Sequence, residues 1–284
     1  MKHPFRYRIE GITLGIAIAL LRLLPVVAAS AFGGALGRVI GPLLPITRVA
    51  RDNLARALPS MSERERKKTL KAMWNNLGRT FAELAHLDHL WNIRNGRIEL
   101  VGIEHANAIR DDGKAGLVVS GHLGNWELGP VAINRLGIEG TAVYRSLNNP
   151  ATDRLIGRIR RRESTDFIPK GPKGAREIFA VLRQGGHIGL LIDQKMNNGI
   201  PVPFFGRDAM TAPSIAQLAL KYGLPILPLR IERLAGCRFR ITFYPAFTPC
   251  ATGNLAADTQ ILMEKLNAML EDWIRVRPEQ WLWI

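Results

Sequence analysis

The sequence has little cysteine and lacks the short motifs of several enzyme classes. Its 284 residues include two cysteines, Cys237 and Cys250, too few for a disulfide framework, which favours a reducing compartment. It has no G-x-S-x-G nucleophile elbow and no phosphate-binding P-loop, and neither cysteine has a histidine near it in the chain. Internal repeats and low-complexity tracts are also missing. These absences leave a folded protein with no obvious enzyme-bound nucleophile.

Acidic residues are scarce relative to basic ones. The chain has 24 Asp and Glu against 39 Lys and Arg, a formal net charge of +15. Such a charge attracts anions, which include nucleic acid, an anionic membrane surface or an acidic partner protein. A basic surface that is merely solvated remains an alternative. Because no aromatic-interleaved basic groove or known nucleic-acid module is present, nucleic acid is not expected as a partner.

The N-terminal region lacks an uninterrupted apolar run of membrane-spanning length. Residues 11–37 are apolar except where Arg22 and Pro25 divide them, and neither half reaches the length of about 20 residues that a span needs. Basic residues flank both ends, so charge indicates no orientation. We expect residues 1–45 to form membrane-associating helices that lie in the interface or make a shallow hairpin. A secretory signal and a buried core helix are the alternatives.

The rest of the chain indicates helices first and then an α/β pattern. Ser62 and Glu65 have capping-box spacing, and apolar residues then recur at helical spacing to about Leu90. Strand-like runs follow at 97–101, 116–120, 141–144, 187–192, 226–231 and 239–244. Helical segments are predicted at 125–135, 153–162, 175–184, 214–222 and 258–275. The expected fold is α/β, a mixed central sheet flanked by helices, with a helical lead-in over 46–94 and the α/β core over 95–284.

The segment from Leu117 to Glu127 is the best candidate for chemistry. A predicted apolar strand is followed by a turn with glycines beside His122 and then by a predicted helix. Ligands of open α/β sheets bind at the carboxyl ends of the strands. A histidine there suits a general base near neutral pH, and a nearby carboxylate would orient its ring. Glu127 follows five residues later and is predicted to fill that role, with an incidental spacing as the alternative.

This segment also carries a resemblance to a known family. Gly121-His122-x-Gly-Asn-Trp-Glu127 resembles the H-x4-E motif of the bacterial late lipid A acyltransferases, the lauroyl and myristoyl transferases of the lysophospholipid acyltransferase superfamily. Further blocks follow in the family's order: Tyr144-Arg145 with Asn149-Pro150; Asp193-Gln194 with Val202 and Phe204-Phe205-Gly206; Thr211-Ala212-Pro213 with Gly223-Leu224-Pro225 and Pro228; and Arg277-Pro278-Glu279-Gln280-Trp281-Leu282-Trp283. The chain departs from many members in ending at Ile284 and in its broken N-terminal apolar stretch.

The resemblance implies an activity and a place for it. Residues 46–284 would form an acyltransferase domain that moves a fatty acyl chain from acyl carrier protein to a hydroxyl of a lipid A precursor. His122 would be the general base with Glu127 in support, and the acceptor would attack directly without an acyl-enzyme, a cofactor or a metal. The domain would lie on the cytoplasmic face of the bacterial inner membrane. Backbone N–H groups of Gly124 and Asn125 are the candidates for stabilising the oxyanion.

Two alternatives for the activity stay open. The first is an acyl-CoA-dependent acyltransferase that acts on another glycolipid or phospholipid, such as a phosphatidylinositol mannoside. The second is a non-catalytic lipid-binding protein, which the positive charge alone would allow.

The expected substrate-binding residues come from a basic region and from the family blocks. Residues 144–176 contain nine Lys and Arg against three acidic residues, and arginine suits phosphate recognition. A phosphorylated glycolipid acceptor or a carrier phosphopantetheine would supply the phosphate. Asp193 would orient an arginine or bind a sugar hydroxyl, with a structural turn as the alternative. The substrate-binding prediction comprises Arg145, Asn149, Arg158, Arg160, Asp193 and Gln194.

One further cluster resembles a metal motif. Glu83, His86 and His89 would share a helix face, but a di-metal site would need a second such pair on another helix, and none is found. We therefore expect these histidines to be solvated or to pack between helices.

Overall fold

The computed structural model describes residues 4–163 and 166–284, and its first third is helical. The helices before the sheet are α1 (Pro4–Arg22), α2 (Val26–Ile40), α3 (Thr47–Ala57), α4 (Glu63–Glu83) and α5 (Leu87–Leu90). The later helices are α6 (Ile103–Asp111), α7 (Leu128–Arg135), α8 (Pro150–Glu163), α9 (Pro172–Arg183), α10 (Ser214–Tyr222) and α11 (Leu255–Val276).

The predicted capping box begins α4. The Ser62 hydroxyl accepts the Glu65 N–H, and the Glu65 carboxylate accepts the Ser62 N–H at 2.7 Å. These two bonds satisfy N–H groups that lack a partner within the helix. The predicted helix extends to Leu90 only in segments, because α4 ends at Glu83 and a 3-10 turn precedes α5.

Helix α2 packs against α4 through small residues. A Cβ at Gly33 would lie 2.4 Å from the carbonyl oxygen of Gly78, so the two backbones are nearly in contact. The face of α2 that carries Ala29 and Ser30 is buried, while its other face is exposed and apolar. By length and composition, Val26–Leu43 is the one described segment that could cross a membrane, and 33% of it is buried. One face of α2 is therefore buried, as the alternative of a core helix predicts.

The described strands form a seven-stranded sheet in the order β1-β9-β8-β2-β5-β3-β4 and a separate β6-β7 hairpin. The strands are β1 (Ile98–Val101), β2 (Gly116–Ser120), β3 (Gly140–Tyr144), β4 (Asp166–Pro169), β5 (His187–Leu191), β6 (Ile200–Phe204), β7 (Arg207–Thr211), β8 (Ile226–Ala235) and β9 (Arg238–Phe243). Neighbours in the large sheet are parallel except β8 and β9. Helices flank it, so the predicted α/β class with a mixed sheet is confirmed.

All six predicted strands are present, but β4, β6, β7 and α6 were not predicted. Strand β6 contains Pro201 and Pro203, and proline within a run indicates a loop or an edge. Strand β4 has four residues and begins at an aspartate, which is rare in strands. Predicted helix 125–135 begins only at Leu128, since the residues before it form the loop that follows β2.

Parallel pairing brings the ends of β2 and β5 together. Ser120 of β2 lies opposite Leu191 of β5. The residues two positions further on, His122 and Asp193, therefore leave the sheet side by side at its carboxyl edge. The C-terminal segment completes this edge, because Trp281 forms an isolated antiparallel bridge with Leu123.

We expect Gly33→Val to destabilise the protein, because its Cβ would overlap Gly78 and force α2 away from α4. Overpacking of this kind costs about 1–3 kcal/mol. The matched control is Ala35→Val, a β-branched replacement on the exposed face of α2. Thermal unfolding checks the prediction, which would be contradicted by equal midpoints for the two variants.

Candidate active site

His122 is held by Asp193 at the carboxyl edge of the sheet. The Nδ1 atom of His122 lies 2.7 Å from Oδ1 of Asp193, and the backbone N–H of His122 donates to Oδ2 at 2.6 Å. A carboxylate at Nδ1 fixes the proton on that nitrogen and leaves Nε2 for another partner. The prediction that Glu127 holds the ring is therefore wrong. The partner comes from the neighbouring parallel strand, which spacing along the chain does not reveal.

The C-terminal segment fixes this carboxylate. The indole N–H of Trp281 donates to Oδ2 of Asp193 at 2.8 Å, and the carboxylate side chain is only 2% exposed. Burial raises the pKa of Asp193, but the charge of His122 and the hydrogen bonds from His122 and Trp281 outweigh it and hold the pKa below its ordinary value. Asp193 is thus ionised at neutral pH and stabilises a positive charge on His122.

His122 combines partial exposure with a raised basicity. Burial lowers the pKa of His122, but the charge and hydrogen bond of Asp193 and the charge of Glu127 outweigh that effect and leave the pKa raised. Its side chain is 27% exposed. The imidazole is therefore a stronger base than a solvated histidine and becomes protonated at a higher pH.

Glu127 binds an arginine instead of the histidine. Nε of Arg160 donates to Oε2 at 2.8 Å and Nη2 donates to Oε1 at 2.5 Å, which is a two-pronged contact. The Trp126 indole adds a bond to Oε1 at 3.1 Å. Glu127 therefore anchors Arg160 and acts on His122 through its charge.

His122, Glu127 and Arg160 line one cavity of about 730 Å³, which we call the chamber. The chamber runs along the face of β2, β5 and β3 beneath α7 and α8. At the carboxyl ends of the strands its lining includes polar residues such as His122 and Arg160; at their opposite ends it includes Ile133 and His187. Gly189 and Ala142 lie between these ends and leave space because their side chains are small. A long site of this kind fits a molecule with a polar head and an apolar tail.

The chamber includes only part of the predicted substrate-binding set. Arg145, Arg160 and Gln194 line it, and the Gln194 side chain accepts a hydrogen bond from Lys170 Nζ at 3.1 Å. Lys170, which also lines the chamber, was not predicted as a site residue. Arg158 is exposed and lies outside the lining.

Asn149 does not line the chamber, and its predicted role in substrate binding is wrong. Its side-chain oxygen accepts the Ala151 N–H at 2.8 Å at the start of α8, and its amide donates to Tyr7 and Glu10 of α1. The residue before Pro150 is suited to a helix cap, since proline occupies the first helical position. These bonds attach α1 to α8.

The oxyanion prediction for the Gly124 N–H is also wrong, whereas that for the Asn125 backbone N–H stays a prediction. The N–H of Gly124 donates to the Gln280 carbonyl at 3.1 Å, and its own carbonyl accepts from Asn76 at 2.9 Å. Asn125 is fully buried and outside the chamber lining, and its amide donates to Glu83 at 2.8 Å. Gly124 has φ +58, and a Cβ there would lie 2.5 Å from the Ile231 carbonyl oxygen, so glycine is required.

Glu83 belongs to a buried network and not to a metal site. It forms an ion pair with Arg233 of β8 and accepts the Ser30 hydroxyl at 2.6 Å. His86 is buried with Nε2 2.9 Å from the Leu21 carbonyl, whereas His89 is exposed. In the described ranges, no group of three or more His, Cys, Asp or Glu could hold a metal ion. Sequence reasoning missed Arg233, because no local pattern marks a partner on another element.

Comparison with known proteins gives a consistent result. The family described as bacterial lipid A biosynthesis acyltransferase matches residues 2–284. A lipid A biosynthesis acyltransferase from Haemophilus influenzae is 24% identical over 96% of this chain and 86% of its own length. The lipid A biosynthesis lauroyltransferase of Escherichia coli is 25% identical over 99% and 91%. A phosphatidylinositol mannoside acyltransferase of Mycobacterium tuberculosis is 29% identical over 64% and 59%.

We expect Asp193→Asn to lower the pKa of His122, because it removes the carboxylate charge that stabilises the imidazolium. NMR titration of the imidazole carbons measures this pKa in the purified protein. Asp208→Asn, an exposed change in β7, is the matched control and should leave the titration unchanged. A His122 pKa that is equal in wild type and Asp193→Asn would show that the carboxylate does not act on the ring.

Proposed function

The chain belongs to the bacterial lipid A biosynthesis acyltransferase family, and from that premise we propose that it transfers a fatty acyl chain from acyl carrier protein to a hydroxyl of a lipid A precursor. The observation that carries the proposal is the position of His122. Held by Asp193, it lines the polar end of a chamber whose lining at the far end includes Ile133. A thioester carbonyl at the polar end would have its alkyl chain in the apolar part.

In the proposed reaction the acceptor hydroxyl is the nucleophile. Nε2 of His122 removes its proton as the oxygen attacks the thioester carbonyl. The resulting tetrahedral intermediate collapses, the carbon–sulfur bond breaks, and the imidazolium returns the proton to the leaving thiolate. Asp193 stabilises the imidazolium meanwhile. No acyl-enzyme forms, because the substrate supplies the attacking oxygen.

Ser120 is the proposed donor to the oxyanion. Its hydroxyl is buried, has no hydrogen-bond partner among the described residues, and belongs to a residue that lines the chamber two positions before His122. A hydroxyl without a partner in the resting protein can donate a hydrogen bond to the carbonyl oxygen as negative charge develops on it during the reaction.

Arginines and lysine at the polar end would bind phosphate. Arg145, Arg160 and Lys170 line it, and Glu127 holds the Arg160 guanidinium in a fixed orientation. The phosphate would come from the acceptor glycolipid or from the carrier phosphopantetheine. Outside the chamber, α8 and α9 expose further basic residues that suit an acidic carrier protein: Arg154, Arg158, Arg161, Arg162, Lys173 and Arg176.

Two alternatives, one for the acceptor and one for the acyl donor, have support of their own. The relative named phosphatidylinositol mannoside acyltransferase favours a different glycolipid acceptor. A phosphate-binding polar end would also accept acyl-CoA as donor, because both carriers present a phosphopantetheine thioester. Parallel assays with each donor and each acceptor separate these possibilities.

The N-terminal helices are the proposed membrane-contacting surface. They expose large apolar side chains along α1 and α2, including Phe5, Ile9, Ile12, Ile16, Leu20, Val27, Phe32, Leu36 and Val39. Helix α1 packs on α8, where a Cβ at Gly11 would lie 2.9 Å from that of Ala151, and α8 contributes Arg160 to the chamber. Lipid contact through α1 would therefore bring the chamber close to a membrane-bound acceptor.

We expect His122→Ala to reduce acyl transfer by about 10²–10⁴-fold, the usual contribution of a general base. Asp193→Asn should lower the rate and move the acid limb of the pH profile to lower pH, since the pKa of His122 falls. The assay follows labelled acyl chain from acyl carrier protein to a lipid A precursor. Unchanged transfer in His122→Ala would refute the proposed mechanism, and Asp208→Asn serves as control.

We expect Gly189→Val to shift the preferred acyl chain to shorter lengths. Gly189 lies two residues before the end of β5, and four strand steps of about 3.3 Å separate Ser120 from the far end of β2. A valine side chain at position 189 would block the last two of these steps and shorten the space for the acyl chain by about 7 Å. Carbon–carbon bonds of about 1.5 Å advance an extended chain by about 1.3 Å per carbon, so the loss is about five carbons.

The measurement is competition among saturated donors of different length. Ala251→Val, an exposed replacement of similar size, is the control and should keep the wild-type preference. An unchanged preference in Gly189→Val, with activity retained, would mean that the chain lies elsewhere.

A further inference from the structure

A second cavity, of about 370 Å³, lies where α1 meets α2 and shares no lining residue with the chamber. Its wall includes Arg22 at the end of α1, the link Leu24–Val26 between the helices, and residues of the segment from His86 to Arg97. The proposed acyl transfer makes no use of it. We call it the joint cavity.

The joint cavity has an excess of positive charge. Arg22 forms an ion pair with Asp88, which is the one carboxylate of the lining. Arg97 donates to the His89 carbonyl at 2.9 Å, and no carboxylate pairs with it among the described residues. The charges of the lining thus sum to one positive unit even with both histidines neutral. An arginine bound only to a carbonyl keeps N–H groups for an anion.

His86 also lines the joint cavity and has an unsatisfied buried nitrogen. The residue is 3% exposed, and its Nε2 lies 2.9 Å from the Leu21 carbonyl, which can only accept. Nε2 therefore carries a hydrogen. Nδ1 is buried and has no hydrogen-bond partner in the part of the chain that the structure describes. A buried polar atom without a partner is costly, so a hydrogen-bonding ligand that reached it would offset that cost.

Exposed apolar side chains adjoin the lining of the joint cavity in the chain, and we call them its rim. Leu24 lines the cavity and is exposed; Leu23, which is 80% exposed, and Val27 lie on either side of the link between α1 and α2, and Ile93 follows Asn92. A polar, cationic cavity beside an apolar rim matches a phospholipid at the interface, where the phosphate lies next to the acyl chains.

We propose that the joint cavity binds the phosphate group of an anionic membrane phospholipid. Arg22 and Arg97 would bind the phosphate oxygens, and the apolar rim would lie against the acyl chains. A soluble phosphate offers the same oxygens but would leave the rim in water, so the lipid is the occupant that uses both features. The proposal does not depend on acyl transfer.

The test compares two double variants with the same change of net charge. Arg22→Gln/Arg97→Gln removes both arginines of the joint cavity. Arg38→Gln/Arg94→Gln removes two exposed arginines, one on α2 and one in the same loop as Arg97, neither of which lines it. Full-length protein is mixed with vesicles of phosphatidylcholine alone or with added phosphatidylglycerol, and binding is measured by flotation. Each double variant loses two positive charges, so the general electrostatic attraction to an anionic membrane falls by the same amount in both.

We expect the cavity variant to lose about tenfold more phosphatidylglycerol-dependent affinity than the control, as specific arginine–phosphate bonds exceed general attraction. Equal losses in the two double variants would overturn the proposal. Thermal unfolding confirms that each variant is folded. Acyl transfer to a detergent-solubilised acceptor should be unchanged in the cavity variant, which separates this result from the catalytic proposal.

A second arm distinguishes the source of the phosphate. NMR follows the His86 ring while inorganic phosphate is added without lipid, and again while phosphatidylglycerol vesicles are added. A response to vesicles alone supports a lipid site. Saturable binding of inorganic phosphate that prevents the vesicle response would assign the cavity to a soluble phosphate and would refute the lipid assignment.

Discussion

The buried ion pair between Glu83 and Arg233 connects the helical layer to the sheet, and the loop that carries the candidate base depends on it. Glu83 is fully buried on α4, and Arg233 reaches it from β8 with two nitrogens. Glu83 also accepts the Asn125 amide, three residues after His122. Removing one member of such a pair leaves a buried charge and costs about 3–5 kcal/mol. The Glu83 carboxylate thus joins α4, β8 and the loop that follows β2.

The candidate site is assembled from segments that are distant in the chain. Parallel pairing of β2 with β5 brings His122 to Asp193, and the C-terminal segment adds Trp281, whose indole bonds the same carboxylate. Glu127, the carboxylate nearest in sequence, binds Arg160 on α8 instead. The two carboxylates therefore have different tasks: one orients the imidazole, and the other fixes a cation at the polar end of the chamber. Both raise the pKa of His122 through their charge, against the effect of burial.

The chamber and the N-terminal helices are connected through α8. Small residues, Gly189 and Ala142, leave space on one face of the sheet, while α7 and α8 cover that space. Helix α1 is attached to α8 by the Asn149 amide and packs closely on it at Gly11. The exposed apolar surface of α1, the proposed membrane contact, is thereby attached to a wall of the chamber. The domain division at residues 45 and 46 stays a prediction, because α2 packs on α4 as tightly as a core helix.

The sequence by itself determined the features that depend on local patterns. The capping box at Ser62, the strand that leads to His122 and the alternation of strands and helices each arise from neighbouring residues, whose spacing sets their periodicity. Only the tertiary structure decided which groups meet: Asp193 at His122, Arg160 at Glu127, and Asn149 as a helix cap instead of a ligand. The physical reason is that a side chain bonds to whatever strand register and helix packing bring within about 3 Å, and separation along the chain does not encode that distance.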